Sequence, residues 1–204
     1  QQQRVSIARA LVYDPGLLLL DEPLANLDAK LRIEMREEIR RIQKELGIMT
    51  IYVTHDQEEA MSVSDRVAIF NHGRLMQVGK PKTVYTNPES IFVSDFIGKA
   101  NFFPVHIAQR DKTSAKISLN NGHELKIDRL CQLIEEEHDQ IAAGYDGTLM
   151  VRPEHIRIGP VDDAGLMRCM IKRVQFLGSF HRYMVETPQS ARKVIVDSPR
   201  EVSG

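Results

Sequence analysis

Apolar and polar residues follow two different periods along the start of the chain. Residues 17–20 are four consecutive leucines, a short continuous run that is typical of a strand buried on both faces of a parallel sheet. Ahead of them, apolar residues recur at helical spacing over residues 4–12, and Asp14-Pro15-Gly16 breaks that spacing. The pattern therefore predicts a helix, a turn and a buried strand in that order.

A long amphipathic segment follows the leucine run. It begins after Asn26-Leu27-Asp28, and its apolar residues repeat at spacings of three and four until Gly47. Residues 49–53 are mainly β-branched or aromatic, which predicts a second buried strand, with Thr54-His55-Asp56 at its carboxyl end. Asn71-His72-Gly73 then predicts a three-residue hairpin loop in which Gly73 takes the left-handed position.

The character of the chain changes near residue 98. A helix is predicted after Asn87-Pro88, with Gly98 as its end, and short strands joined by turn signals prevail beyond it. We therefore predict an α/β unit over residues 1–98 and a mostly β unit over residues 99–204. The strands predicted in the second unit are residues 102–108, 115–119, 123–127, 148–158, 166–174, 183–186 and 193–196.

Composition and charge narrow the possible functions. The 204 residues are 42% hydrophobic and 27% charged, which is enough apolar content for one large or two small cores. The net charge of −1 favours neither nucleic acid nor an anionic membrane surface as a partner. No apolar run approaches the roughly 18 residues of a membrane span. Cys131 and Cys169 lie far apart, without the spacing of a zinc site or a disulfide framework.

Two adjacent carboxylates, Asp21 and Glu22, follow the leucine strand directly. In open α/β sheets, ligands bind beyond the carboxyl ends of the strands, so one carboxylate could hold Mg²⁺ while its neighbour orients or deprotonates a water. A buried strand that simply runs into a solvated turn explains the same residues equally well. His55 at the end of the second predicted strand is the third polar candidate at this edge.

Taken together, these motifs resemble the ATP-binding subunits of ABC transporters over about residues 1–97. Gln1-Gln2-Gln3-Arg4-Val5 resembles the stretch after the family's signature motif, and LLLLDE at residues 17–22 resembles the Walker B strand. Asn26-Leu27-Asp28 is similar to the D-loop, and His55 to the switch histidine. The resemblance implies a partial P-loop NTPase fold, the later half of a nucleotide-binding domain.

The same resemblance implies a role for each residue. Asp21 would coordinate Mg²⁺ through water, and Glu22 would polarise the water that attacks the γ-phosphate. His55 would hydrogen-bond the γ-phosphate, Asp28 would act across a dimer interface, and Gln1 would lie beside the signature backbone. The Walker A phosphate loop is missing from the sequence, so we expect that this polypeptide alone neither binds nor hydrolyses ATP.

The second half resembles the OB-like, transport-associated domain of importer ATPases. Val151-Arg152-Pro153-Glu154 and Phe176-Leu177-Gly178 carry that resemblance, and the chain stops before the expected end of the barrel. Pro153 and Gly178 are also explained structurally, as a strand edge and a tight turn.

The expected function is therefore that of a C-terminal fragment of the ATP-hydrolysing subunit of a bacterial ABC importer for a sugar, polyamine, iron or sulfate. The resemblance implies ATP and Mg²⁺ as cofactors, a homodimer of ATPase subunits, two membrane permease subunits and, indirectly, a substrate-binding protein. The resemblance also places the intact ATPase subunit on the cytoplasmic face of the inner membrane. Alternatives are a soluble ATPase of the same superfamily and an isolated ligand-sensing module without ATPase activity.

Overall fold

The structure is a computed structural model that describes residues 2–111, 114–119, 122, 124–127, 133–134, 146–159, 168–187 and 193–201. Its contacts divide the chain into two compact units, Gln1–Val84 and Tyr85–Gly204. The first unit mixes helices with strands and the second consists mostly of strands, so the predicted fold class is confirmed. Among the described residues, no helix is long and apolar enough to cross a membrane.

The first unit follows the predicted order of elements. A short helix that the sequence did not predict, α4, spans the division between the units. The elements are α1 (Gln2–Leu11), β1 (Leu17–Asp21), α2 (Ala29–Leu46), β2 (Met49–Val53), α3 (Gln57–Val63), β3 (Val67–Asn71), β4 (Arg74–Gly79) and α4 (Pro81–Thr86).

Strands β1 and β2 form a two-stranded parallel sheet, and the described residues cover only one of its faces. Leu18 and Leu20 are buried, and each contributes about 2 kcal/mol to the hydrophobic stabilisation. They pack in a core with Ile7 of α1 and with Met35 and Ile39 of α2. The opposite side, which we call the open face, has apolar side chains that are 44 to 69% exposed: Leu17, Leu19, Met49, Ile51 and Val53. The expectation that the leucine strand is buried on both faces is therefore wrong.

Local signals set the ends of α2. The side chain of Asp28 accepts a hydrogen bond from the backbone N–H of Leu31 at 2.9 Å and caps the first turn. Gly47 ends the helix in the left-handed conformation, with φ of 64°. The hairpin between β3 and β4 has a loop of two residues rather than the predicted three, because His72 and Gly73 both adopt positive φ.

The second unit contains helix α5, whose first turn is capped by the side chain of Ser90, followed by two antiparallel sheets. The larger sheet has the order β7-β6-β5-β9-β8 and the smaller has the order β10-β11-β12. Side chains from both sheets share one core, which includes Val105, Ile117, Tyr183 and Val196. The elements are α5 (Ile91–Ile97), β5 (Asn101–Arg110), β6 (Ala115–Ser118), β7 (Glu124–Ile127), β8 (Leu133–Ile134), β9 (Gly147–Val151), β10 (Met170–Phe176), β11 (His181–Glu186) and β12 (Val194–Ser198).

Arg152 ties α5 to the strands that follow it. Arg152 is only 3% exposed, and its guanidinium donates to the carbonyls of Ser94 and Gly98 at 2.9 Å, and to those of Lys99 and Tyr85 at 3.1 Å. These bonds explain why the contacts group α5 with the second unit, whereas the sequence placed the boundary after this helix. The boundary near residue 98 stays a prediction.

The tyrosine beneath this guanidinium is part of the same cluster. The Arg152 guanidinium carbon lies 4.2 Å from the centre of the Tyr85 ring, and the Tyr85 hydroxyl donates to Glu154 Oε1 at 2.6 Å. Burial, followed by the contact with Glu154, raises the pKa of Tyr85 to about 12. The Val151-Arg152-Pro153-Glu154 segment therefore begins with the last residue of β9 and holds α5 in place through hydrogen bonds.

Candidate functional site

The register of the parallel sheet brings the polar candidates to one edge. Asp21 is the last residue of β1 and lies opposite Val53, the last residue of β2. The backbone N–H of Glu22 donates to the carbonyl of Val53 at 2.8 Å, which extends the pairing by one step. The chain segments that carry Glu22 and His55 therefore leave the sheet side by side, as expected for the carboxyl edge of parallel strands.

Glu22 has an unusual backbone conformation. Its φ is 43°, in the left-handed region that a side chain with a Cβ rarely adopts, at a cost of about 1 kcal/mol. Its carbonyl accepts a hydrogen bond from the N–H of Ala25 at 3.2 Å, and Leu24 is fully buried in the core. The buried leucine and the turn hold the chain in this sharp change of direction directly after β1.

The side chains of Glu22 and His55 are in contact. Oε1 of Glu22 lies 2.9 Å from Nδ1 of His55; the His55 side chain is 77% exposed and the Glu22 side chain is 47% exposed. The hydrogen bond to Glu22, and next its negative charge, raise the pKa of His55. The sequence predicted both residues at this edge but gave no sign of a direct bond between them.

Asp21 and Asp28 lie at the two ends of the loop that follows β1. Asp21 is exposed at the end of its strand, where its carboxylate is open to a ligand. Asp28 uses its carboxylate as the helix cap of α2, so it has a structural role whatever it does elsewhere. Gln1, the remaining predicted site residue, lies outside the described residues.

A buried carboxylate lies behind His55. Glu59 of α3 is only 3% exposed, and its Oε2 accepts hydrogen bonds from Thr54 Oγ1 at 2.8 Å and from the hydroxyl of Tyr52 at 3.1 Å. Thr54 Oγ1 in turn accepts from the N–H of Asp56 at 3.0 Å. Burial is the main reason that the pKa of Tyr52 is raised. The network fixes the backbone on both sides of His55.

Two arginines of α2 complete this network, and sequence reasoning missed both of them. Arg32 and Arg36 each contact Asp56, the residue that follows His55. Arginines on an amphipathic helix are usually solvated, so neither side chain stood out in the sequence. Their partners are 24 and 20 positions away along the chain, beyond the reach of any helical periodicity.

Comparison with known proteins identifies one matching domain family and several relatives of this chain. The TOBE domain family matches residues 149–203. A spermidine/putrescine import ATP-binding protein of Pseudomonas aeruginosa is 42% identical over 185 residues, which are 91% of this chain and 48% of that protein. The corresponding protein of Pseudomonas fluorescens is 40% identical over 96% of this chain and 50% of its own length. This chain is homologous to the ATP-binding subunits of ABC importers. An Fe(3+) ions import ATP-binding protein of Rhizobium meliloti is 38% identical over 96% of the chain and 49% of its own length.

The homology to importer subunits covers both units of the fold. Since the alignments include more than nine-tenths of the chain, the edge with Glu22 and His55 and the later strands belong to one homologous stretch. The TOBE match confirms the transport-associated domain expected in the second half. The chain spans about half the length of the curated relatives that it matches.

Proposed function

We propose that this chain supplies the Walker B, D-loop and switch-histidine part of an ATPase that drives solute import. One observation carries the proposal: Glu22 and His55 leave neighbouring parallel strands and lie 2.9 Å apart, beside the exposed carboxylate of Asp21. The homology to import ATP-binding proteins supports the same reaction.

In this proposal each side chain at the edge has one task. Glu22 orients and polarises the water that attacks the terminal phosphate, because its carboxylate can accept a proton from that water. When protonated, His55 donates a hydrogen bond from Nδ1 to Glu22 and another from its second ring nitrogen, Nε2, to the phosphate. Asp28 acts across the interface of a dimer, and Gln1, which is outside the described residues, is assigned to the position beside the signature backbone that contacts the partner's ATP.

The residues present fit Mg²⁺ together with ATP. Asp21 contributes a hard carboxylate oxygen, and Mg²⁺ in nucleotide sites is commonly held by one or two carboxylates together with phosphates and water. Bound Mg²⁺ would neutralise charge that develops on the phosphates.

The relatives' names suggest the physiological setting. They are import ATP-binding proteins for spermidine and putrescine or for Fe(3+) ions, so a polyamine or iron is the favoured solute. The proposed assembly is a homodimer of ATPase subunits on the cytoplasmic face of the inner membrane. The dimer is bound to two permease subunits, which a substrate-binding protein feeds.

The test is ATP hydrolysis by the full-length protein that carries this sequence, assembled with its permease subunits. Glu22→Gln should abolish turnover and retain ATP binding, because the amide keeps the shape of the side chain but cannot accept the proton. His55→Ala should lower hydrolysis by about 100-fold or more, as expected for the loss of a group that stabilises the transition state. Glu45→Gln, an exposed change on α2, is the control. Hydrolysis by Glu22→Gln at the rate of the control would refute the proposal.

A further inference from the structure

Arg32 joins the two segments that carry the proposed site. Its Nη2 donates to the backbone carbonyl of Leu27 at 3.1 Å, in the loop that ends at Asp28. Its Nη1 donates to Oδ2 of Asp56 at 3.4 Å, directly after His55. One planar guanidinium therefore spans the loop after β1 and the segment after β2.

Arg36, one helical turn later, strengthens the second contact. Its Nη2 lies 3.4 Å from the same Oδ2 of Asp56, and its Nη1 lies 3.4 Å from Oε2 of Glu58. Asp56 also caps α3, since its Oδ1 accepts from the N–H of Glu59 at 3.1 Å. The carboxylate of Asp56 is thus held by two guanidinium groups and by the first turn of a helix.

The geometry of these contacts favours positioning over simple stabilisation. At 3.4 Å the bonds to Asp56 are long, so each is weak, and the Arg32 side chain is 32% exposed. What distinguishes Arg32 is that it binds two segments at once, which suits the rigid fork of a guanidinium and not the point charge of a lysine. Its Nε also lies 3.9 Å from Oε1 of the buried Glu59, an ion pair without a hydrogen bond.

We propose that Arg32 is a positioning residue of this site: it fixes the loop from Glu22 to Asp28 against the segment from Thr54 to Asp56, so that Glu22 and His55 stay aligned. The inference rests on the proposed ATPase function, but its structural half can be measured without nucleotide. In this proposal, Arg32 contacts neither ATP nor the attacking water.

The first measurement is hydrogen exchange of this chain without nucleotide, followed over residues 22–28 and 54–56. Arg32→Gln should increase exchange about tenfold in both segments at once, because one side chain restrains both. The matched control is Arg41→Gln on the same helix, whose partners Glu38 and Glu45 are neighbours along the exposed side of α2. Faster exchange in only one segment, or in neither, would overturn the inference.

The second measurement is steady-state ATP hydrolysis by the full-length protein. Arg32→Gln should lower kcat about tenfold or more and leave KM within about twofold, since a small misplacement of catalytic groups is costly while nucleotide binding is retained. Arg32→Lys should give an intermediate kcat, and Arg41→Gln should match the wild type.

Two further variants make the outcomes decisive. Combining Arg32→Gln with Asp56→Asn, which retains the cap of α3, should lower kcat by less than the product of the two single effects, because both changes weaken the contact between Arg32 and Asp56. If Arg32→Gln does not fold, Arg32→Lys carries the test. An unchanged kcat in the folded Arg32 variants, with Glu22→Gln inactive, would overturn the role of Arg32 and leave the proposed function intact. An active Glu22→Gln would instead overturn the proposed function.

Discussion

Replacing Arg152 by methionine should destabilise the second unit strongly. Arg152 is 3% exposed, and four backbone carbonyls around its guanidinium accept hydrogen bonds from it. Methionine fills much of the same volume but donates no hydrogen bond, so Arg152→Met removes the donors and leaves the packing largely in place.

The size of the expected destabilisation follows from the number of Arg152 N–H groups that donate hydrogen bonds. Nη1 has two hydrogens for the carbonyls of Ser94, Gly98 and Lys99, and Nη2 uses one hydrogen for Tyr85, so three N–H groups are engaged. Three bonds from a charged donor, at about 1.5 kcal/mol each, total about 4.5 kcal/mol. Burial lowers the pKa of Arg152, which shows that holding its charge out of water has a cost. We therefore expect a net loss of about 3 kcal/mol.

The assay is urea unfolding combined with hydrogen exchange of α5. With a typical urea dependence of about 2 kcal/mol per molar, the midpoint of the second unit should fall by about 1.5 M. Exchange over Ile91–Ile97 should rise in parallel, because the guanidinium holds the end of this helix. Arg157→Ala, at an exposed arginine of the same unit, is the control and should leave the midpoint unchanged. An Arg152→Met midpoint equal to that of the control would refute the reasoning.

Three other changes test the described contacts. Glu22 raises the pKa of His55, so the stabilisation from their bond is fully present below the ordinary histidine pKa and is lost as pH rises through the raised value. In an NMR titration, Glu22→Gln should bring the pKa of His55 back toward 6.5. An unchanged pKa would contradict the contact. Asp28→Ala should lower the free energy of unfolding by about 1 kcal/mol, and Asp28→Asn by only a few tenths, since asparagine also caps helices; equal losses would argue against the cap. Gly98→Ala would place its Cβ 3.2 Å from a tyrosine ring carbon and should cost about 1 kcal/mol in urea unfolding. Gly16→Ala, where a Cβ meets nothing within 4 Å, should cost less, and the reverse order would be evidence against the close approach.

The features that sequence reasoning predicted correctly depend on neighbours along the chain. Helical periodicity predicted that a helix begins after Asp28 and ends at Gly47, and α2 spans Ala29–Leu46. The order of β1, α2 and β2 followed from periodicity, and that order places Glu22 and His55 at one edge. The periodicity and the parallel arrangement of the two strands together were sufficient to locate the candidate site.

The features it could not predict depend on residues far apart along the chain. The Glu22–His55 bond joins positions 33 apart, and Arg152 reaches Ser94 across 58 positions. Charged side chains in such contacts look like ordinary surface residues in the sequence. The leucine run also cannot reveal that Leu19 is 67% exposed, because the covering of a strand's second face depends on other elements of the fold.

Apolar contacts made by the open face of the β1–β2 sheet should control the self-association and precipitation of the chain. Leu17, Leu19, Met49, Ile51 and Val53 form a patch that should bind amphipathic dyes and detergents and should drive self-association at high concentration. Sulfate salts, which strengthen apolar association, should precipitate the chain early, and Leu19→Lys should delay that precipitation. With a net charge of only −1, the chain has little electrostatic repulsion to oppose this attraction.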